Sequence, residues 1–203
     1  EWHVRSEQGW VPALYLIQFF HNHGLLSVTN RPDWYVIKGG SKTYVTALTA
    51  SFKDKIRLST PVTGVKREKE AVVVSSAQGE ERYDAVFFAC HSDQALRLLE
   101  QPTASEQQVL GAIKYQENEV LLHTDASILP KRKTAWAAWN YHLLENDQGQ
   151  VPVTYNMNIL QGLDSDQTFC VTLNNSNAID QTKVLKRLQY HHPIYTQESV
   201  AAQ

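Results

Sequence analysis

Val153-Thr154-Tyr155-Asn156-Met157-Asn158-Ile159-Leu160 is the most regular stretch of the chain. Val153, Tyr155, Met157 and Ile159 share one parity, and Thr154, Asn156 and Asn158 the other. Such alternation marks a strand with one dry face and one wet face, which is how antiparallel sheets read. Thr168 to Asn174 repeats it, with Phe169, Val171 and Leu173 set against Thr168, Cys170 and Thr172. The two stretches predict neighbouring antiparallel strands joined by a hairpin around Gln161-Gly162-Leu163. Val153, Tyr155, Phe169 and Val171 should be more buried than Thr154, Asn156, Thr168 and Thr172. Glu119 to Thr124 and Ala135 to His142 read as further strands. Asp180 is expected to cap a last helix through Val184, Leu185 and Leu188, ending before Pro193.

Upstream the pattern is mixed. Val11 to Phe20 is apolar enough for a buried helix, stopped at His21-Asn22-His23-Gly24 with Gly24 in the left-handed position. Trp34 to Ile37 reads as a short strand broken by Gly39-Gly40. Ser41 reads as the N-cap of a helix carrying Tyr44, Leu48 and Phe52 on one face. Ile56 to Leu58, Val62 to Lys66 and Ala71 to Ser75 read as strands, with a hairpin turn at Ala77-Gln78-Gly79-Glu80. Ala85-Val86-Phe87-Phe88-Ala89 is continuously apolar, as in a strand covered on both faces. His91-Ser92-Asp93 caps a helix holding Ala95, Leu96, Leu98 and Leu99. Thr103 and Glu106 have capping-box spacing before Val109, Leu110 and Ile113. The fold class is therefore α+β: a mixed sheet with covering helices, then an antiparallel sheet.

The 203 residues carry 19 Lys plus Arg and 21 Asp plus Glu, a formal charge of −2. That balance excludes broad electrostatic binding to nucleic acid or anionic membrane, which needs a basic surface. No apolar run reaches the ~18 residues of a membrane span. Two cysteines, Cys90 and Cys170, cannot form a disulfide framework or a thiolate zinc site. With no targeting signal, the free cysteines predict a reducing, cytoplasmic setting. The ends, Glu1-Trp2-His3 and Ser199 to Gln203, read as cuts in mid-sequence. The expectation is an internal fragment, able to self-associate through surfaces bared by truncation.

Few residues announce chemistry. His21 and His23, or His191 and His192, lack the Cys or acidic partners of a metal site, so no metal is expected. Cys90 and His91 are adjacent and would point to opposite faces of a strand, which suits a buried thiol better than a nucleophile–base pair. No G-x-S-x-G, G-x-G-x-x-G or Walker motif occurs. Gly39-Gly40-Ser41 is either an anion-holding helix start or a simple strand-to-helix turn. Trp136 faces opposite to Trp139 and Tyr141; core packing is the expected use, stacking on a planar ligand the alternative. No catalytic residue can be named from the sequence.

The order of three segments says more: Val36-Ile37-Lys38-Gly39-Gly40-Ser41, then Ile56-Arg57-Leu58-Ser59-Thr60-Pro61-Val62-Thr63-Gly64-Val65, then Tyr83-Asp84-Ala85-Val86-Phe87-Phe88-Ala89-Cys90. Together they resemble the middle of a flavin-containing amine oxidoreductase. The stretch from His21-Asn22-His23-Gly24-Leu25-Leu26 to Trp139-Asn140-Tyr141-His142 is similar to bacterial FAD-dependent oxidoreductases. The resemblance implies an FAD-linked fold, with 1–117 part of the FAD-binding domain and 118–203 a sheet like that of a substrate domain, roofing the flavin. It places the backbone of Val62 against the FAD adenine, with Ala89 near it and Gly40 and Ser41 as further cofactor contacts. It implies hydride transfer from a small organic substrate to the flavin; the alternative is a non-catalytic binding or interaction domain of the same fold.

Two departures limit that picture. The glycine-rich turn for the FAD pyrophosphate and the C-terminal flavin segment are absent, so these residues alone are expected to hold no FAD and to be inactive. A lysine near the flavin, common in amine oxidases at the start of the first substrate-domain strand, is missing from Glu117-Asn118-Glu119-Val120. Amine oxidation itself is therefore not implied.

Overall fold

A computed structural model describes residues 3–6, 9–30, 32–143 and 152–202. The chain divides into two compact units, 1–48 with 115–194 and 49–114 with 195–203. Residues 1–48 thus cluster with the sheet that follows residue 115, a division unlike the 1–117 and 118–203 parts. Helices and antiparallel sheets make the fold α+β.

In the first unit, β1 (His3–Ser6) and β2 (Gly9–Pro12) pair antiparallel and lead into α1 (Ala13–Asn22). The helix stops as its sequence directs. Gly24 takes φ +65°, and the Leu25 N–H donates to the Phe20 carbonyl at 2.8 Å. No residue of α1 whose side chain is described is buried, contrary to expectation. An apolar helix is buried only where neighbours cover it, and its main packing partners are β1 and β2. Trp34 to Ile37 is not a strand, because no strand among the described residues pairs with it. Ser41 is the first residue of α2 (Ser41–Thr49) rather than its cap. The Gly40 carbonyl takes the first bonds instead, from the Thr43 N–H at 3.2 Å and hydroxyl at 2.8 Å. A short 3₁₀ turn, Ala50–Lys55, follows.

In the second unit, β3 (Val62–Arg67), β4 (Val72–Ser76) and β5 (Gly79–Tyr83) form an antiparallel meander in that order. Gly79, at φ +116°, makes the expected turn. The β3–β4 register shifts between Val62 and Gly64, so Thr63 is a bulge residue. Helices α3 (Ser92–Leu98) and α4 (Ala104–Ala112) pack on each other, and α3 on β3, with Val65, Val73 and Ala95 as buried apolar residues. The capping box forms as read. The Glu106 N–H donates to Thr103 Oγ1 at 3.2 Å, and the Thr103 N–H to the Glu106 carboxylate at 2.7 Å. The Arg67 guanidinium grips that carboxylate at 2.5 and 3.0 Å and donates to the Gln101 carbonyl at 2.7 Å. This tie fastens β3 to the start of α4. It holds the Glu106 carboxyl down at about 2, chiefly through Arg67 and then the Thr103 N–H.

Ile56 to Leu58 and Ala85 to Ala89 are not strands. A continuous apolar run becomes a buried strand only with strands on either side. The meander provides none, and Phe87 is left 94% exposed.

The other sheet of the first unit has five strands: β6 (Lys114–His123), β7 (Trp139–Tyr141), β8 (Val153–Asn156), β9 (Cys170–Leu173) and β10 (Val184–Ile194), in the order β10-β6-β9-β8-β7. β8 and β9 are antiparallel neighbours, as expected. The alternating stretch is nevertheless cut short, because Asn156 caps a helix, α5 (Met157–Gln161). Its Oδ1 accepts from the Asn158 and Ile159 N–H groups at 3.1 and 3.3 Å. Gly162, at φ +60°, ends that helix. Ala135 to His142 shrinks to the three residues of β7. The last expected helix is instead β10; Asp180 caps only a 3₁₀ turn, Gln181–Lys183. Pro193 is tolerated because β10 is an edge strand. A short helix α6 (Gln197–Ala201) returns to the second unit and packs on α4.

Candidate functional site

Val62, the position singled out for a cofactor, opens β3 at the edge of the meander and is 39% exposed. It pairs with Ser76 on one side, and the bulge at Thr63 follows immediately. An edge strand turns alternate N–H and C=O groups away from its own sheet. A backbone edge of this kind suits the planar, hydrogen-bonding rim of an adenine. Ala89 lies in the exposed stretch after Phe88 in the same unit. Val86 and Phe88 line a cavity of about 570 Å³ with Val65, Ala95, Leu99 and Val109. Its walls are mostly apolar, and the Arg67 that also lines it is committed to Glu106 and the Gln101 carbonyl, which fits side-chain packing rather than a pyrophosphate.

Gly40 and Ser41 belong to the other unit. Gly39 and Gly40 have φ of +84° and +79°, and a Cβ at Gly40 would meet nothing within 4 Å. The Gly40 N–H, however, donates to the Ile37 carbonyl at 2.9 Å. The turn uses its own donor, and the doublet serves the chain reversal into α2.

The five-stranded sheet has two unlike faces. Register puts Leu122, Val171, Tyr155 and Trp139 in one row, and Val120, Leu173, Val153 and Tyr141 in the next. These eight positions carry no charge. The face is covered at β6 and opens toward β7, where Trp139 is 57% and Tyr141 47% exposed. Trp139 meets Tyr155 edge-on at 6.0 Å. Trp136 is tied elsewhere: its indole N–H donates to the Pro130 carbonyl at 2.8 Å and Lys133 lies over its ring. Trp139 and Tyr141 are thus not packed into a core, contrary to expectation, and form an open aromatic wall.

The opposite face was read as wet and is the buried one. Thr154, Asn156, Cys170 and Thr172 are fully buried, whereas Tyr155, Phe169 and Val171 are only half-buried. Val153 is buried as expected. The hydroxyls tolerate burial because they bond to one another. His123 Nε2, Thr172 Oγ1, Thr154 Oγ1 and His142 Nε2 form a row with three links of 2.8 Å each. Sequence reading missed this row. Its only signal was that His123 on β6 has a hydroxyl-bearing strand for a neighbour.

The remaining candidates are structural. His23 Nδ1 lies 2.7 Å from the Phe19 carbonyl, and its ring stacks near Phe19 and Trp34. Asn118 donates to His192 Nδ1 at 2.9 Å. No cluster of His, Cys, Asp and Glu among the described residues could hold a metal. Cys90 is exposed and Cys170 buried. Burial, and then the Asp125 charge, push the Cys170 thiol up to about 11. Strand β6 begins three residues before Glu117, at Lys114, whose ammonium donates to the Gly111 carbonyl at 2.8 Å.

The chain belongs to the family of flavin-containing amine oxidoreductases, whose model matches residues 7–158. No curated protein matches it. A crystal structure assigned as a protoporphyrinogen oxidase from Exiguobacterium sp. 255-15 is similar in fold, with TM-score 0.52, 13% identity and coverage of 93% of this chain and 49% of that one. A fatty acid isomerase from P. acnes matches with TM-score 0.48 and 14% identity over 77% of this chain and 40% of its own. Putrescine oxidase bound to putrescine matches with TM-score 0.47 and 14% identity over 70% and 31%. The chain thus spans less than half the length of each. No helix among the described residues is long and apolar enough to cross a membrane.

Proposed function

We propose that this chain is part of an FAD-dependent oxidoreductase acting on a small organic molecule. Family membership carries the reading. The exposed, bulged edge at Val62 and the open face of Trp139 and Tyr141 support it. Val62 would hold the adenine through its backbone, with Ala89 near it in the same unit. The five-stranded sheet, by itself, would offer the substrate its open aromatic face, excluding water and orienting it. FAD, when bound, supplies hydride acceptance. Neither a glycine-rich pyrophosphate turn nor a named acid or base is part of this chain, so purified alone it should be colourless.

The test uses the intact flavoprotein containing this chain. Val62→Ala keeps both backbone groups and should keep FAD. Val62→Pro removes the N–H. A lost hydrogen bond with its partner left unpaired costs about 1–3 kcal/mol, roughly 5- to 150-fold in affinity. FAD affinity by fluorescence titration is measured beside the melting temperature of the apo form. A folded Val62→Pro protein that binds FAD like wild type refutes the assignment. Loss of FAD only in step with unfolding reduces Val62 to a sheet residue.

A further inference from the structure

The His123–Thr172–Thr154–His142 row has a direction, and its direction makes it sensitive to one proton. The Asp125 N–H donates to His123 Nδ1 at 3.1 Å. A neutral His123 therefore carries its proton on Nε2 and donates it to Thr172 Oγ1. The buried Thr172 hydroxyl is then free to donate only onward, to Thr154, and Thr154 donates to His142 Nε2. The row closes only if His142 Nε2 offers a lone pair, which is the neutral imidazole with its proton on Nδ1. A proton on Nε2 sets donor against donor. Turning both hydroxyls moves that collision to the His123 Nε2–H and does not remove it.

The far end of the row is mechanically weak. β7 has three residues, lies at the sheet edge and, among the described residues, pairs only with β8. His142 extends the ladder by one bond, from its N–H to the Pro152 carbonyl at 3.1 Å. Asn140 adds a side-chain bond to the Thr154 carbonyl at 3.2 Å. We propose that the row is an acid-sensitive latch on β7: closed while His142 is neutral, and opened when His142 takes a proton, releasing the edge strand that carries Trp139 and Tyr141.

On this face, among the described residues, alternation along β6 and β9 places Tyr115, Glu117 and Glu119, the last paired with Arg187, together with His123 and Cys170, and alternation along β10 puts His191 on the side of Arg187. Asp125 lies just past the end of β6, held by Lys183, which also lies near Asp180. Burial lowers the proton affinity of both imidazoles, and the Asp125 charge offsets this in part at His123. A depressed imidazole pKa means the closed row is stable above the ordinary value of about 6.5. Its stability is lost as the pH falls below that value.

The test is amide hydrogen exchange on this chain at about pH 7.5 and about pH 5, expressed as protection factors to remove the intrinsic pH dependence. Protection at Trp139 to Tyr141 should fall about tenfold or more in acid, while Val120 to Leu122 on β6 stay protected. His142→Gln offers Thr154 a carbonyl acceptor at every pH, so its β7 should stay protected in acid. Thr154→Val cuts the row and should leave β7 unprotected at both pH values. If that variant does not fold, His142→Gln alone decides. Equal wild-type protection at the two pH values overturns the proposal. So does acid loss in His142→Gln matching that of wild type, or simultaneous loss on β6 and β7.

Discussion

Asp125→Ala is the substitution whose cost the structure sets most directly. The carboxylate is 2% exposed. Its Oδ1 accepts from the Ser127 N–H at 3.2 Å, the Ser127 hydroxyl at 2.8 Å and the Lys183 ammonium at 3.2 Å; its Oδ2 accepts from the Asp180 N–H at 2.9 Å. These bonds tie the end of β6 to the turn that opens β10. Burial alone would raise the carboxyl pKa; the bonds from Asp180, Ser127 and Lys183 outweigh it and hold the group well below the usual carboxylate range. Removing one member of a buried pair costs about 3–5 kcal/mol when the other charge stays buried. Here Lys183 is half-exposed and Ser127 and Asp180 are exposed, so the abandoned partners rehydrate. That brings the expected loss to about 2–3 kcal/mol, a melting temperature lower by about 4–12 °C for a chain of this size. A depressed carboxyl pKa stabilises above the unfolded value of about 3.9 and is lost as the pH falls through the folded one. The gap between wild type and variant should therefore be constant near neutrality and narrow in strong acid. Thermal melts followed by circular dichroism across that range test it. A variant melting within about 2 °C of wild type at neutral pH, or a gap unchanged in strong acid, would refute the reasoning.

Thr103→Ala removes the acceptor for the Glu106 N–H and should cost about 1 kcal/mol, read as a lower urea midpoint with an unchanged slope; Thr103→Ser should restore it. The two thiols should differ in reactivity: Cys90 is exposed and labels in the folded chain, whereas Cys170, buried with its thiol pushed up to about 11, labels only on unfolding. Mass spectrometry of the alkylated chain reads this, and equal labelling rates would contradict the buried position.

What was legible in the sequence was local. The capping box of Thr103 and Glu106, the left-handed Gly24 and the Gly79 turn are decided by residues within a few positions of one another. What was not legible depended on partners far along the chain. Trp34 to Ile37 and Ala85 to Ala89 have strand composition, but pairing is a property of two segments, and neither finds a mate among the described residues. Val184 to Leu188 has helical spacing, yet β6 offers an edge and the segment joins it as β10. Asn156 is a cap that alternation concealed. For the candidate site, Val62 came from the family resemblance alone, Trp139 and Tyr141 were expected in a core, and the polar face of the sheet was misjudged. Alternation separates two faces without saying which one is covered.

The choice of face has an energetic logic. A buried hydroxyl is costly only when unpaired, and Thr154 and Thr172 are paired with each other and with two imidazoles. Closing that face therefore carries little penalty and leaves the hydroxyls in the row committed. Trp139 and Tyr141 are a different matter. Leaving such side chains half-exposed forgoes apolar burial on the order of 25 cal/mol for each Å². Nothing in the register prevents their burial, since Val120 and Val153 on the same face are buried. The stabilisation withheld at β7 remains available to whatever lies against that face. Because the eight paired positions carry no charge, an apolar or aromatic occupant recovers more of it than a charged one.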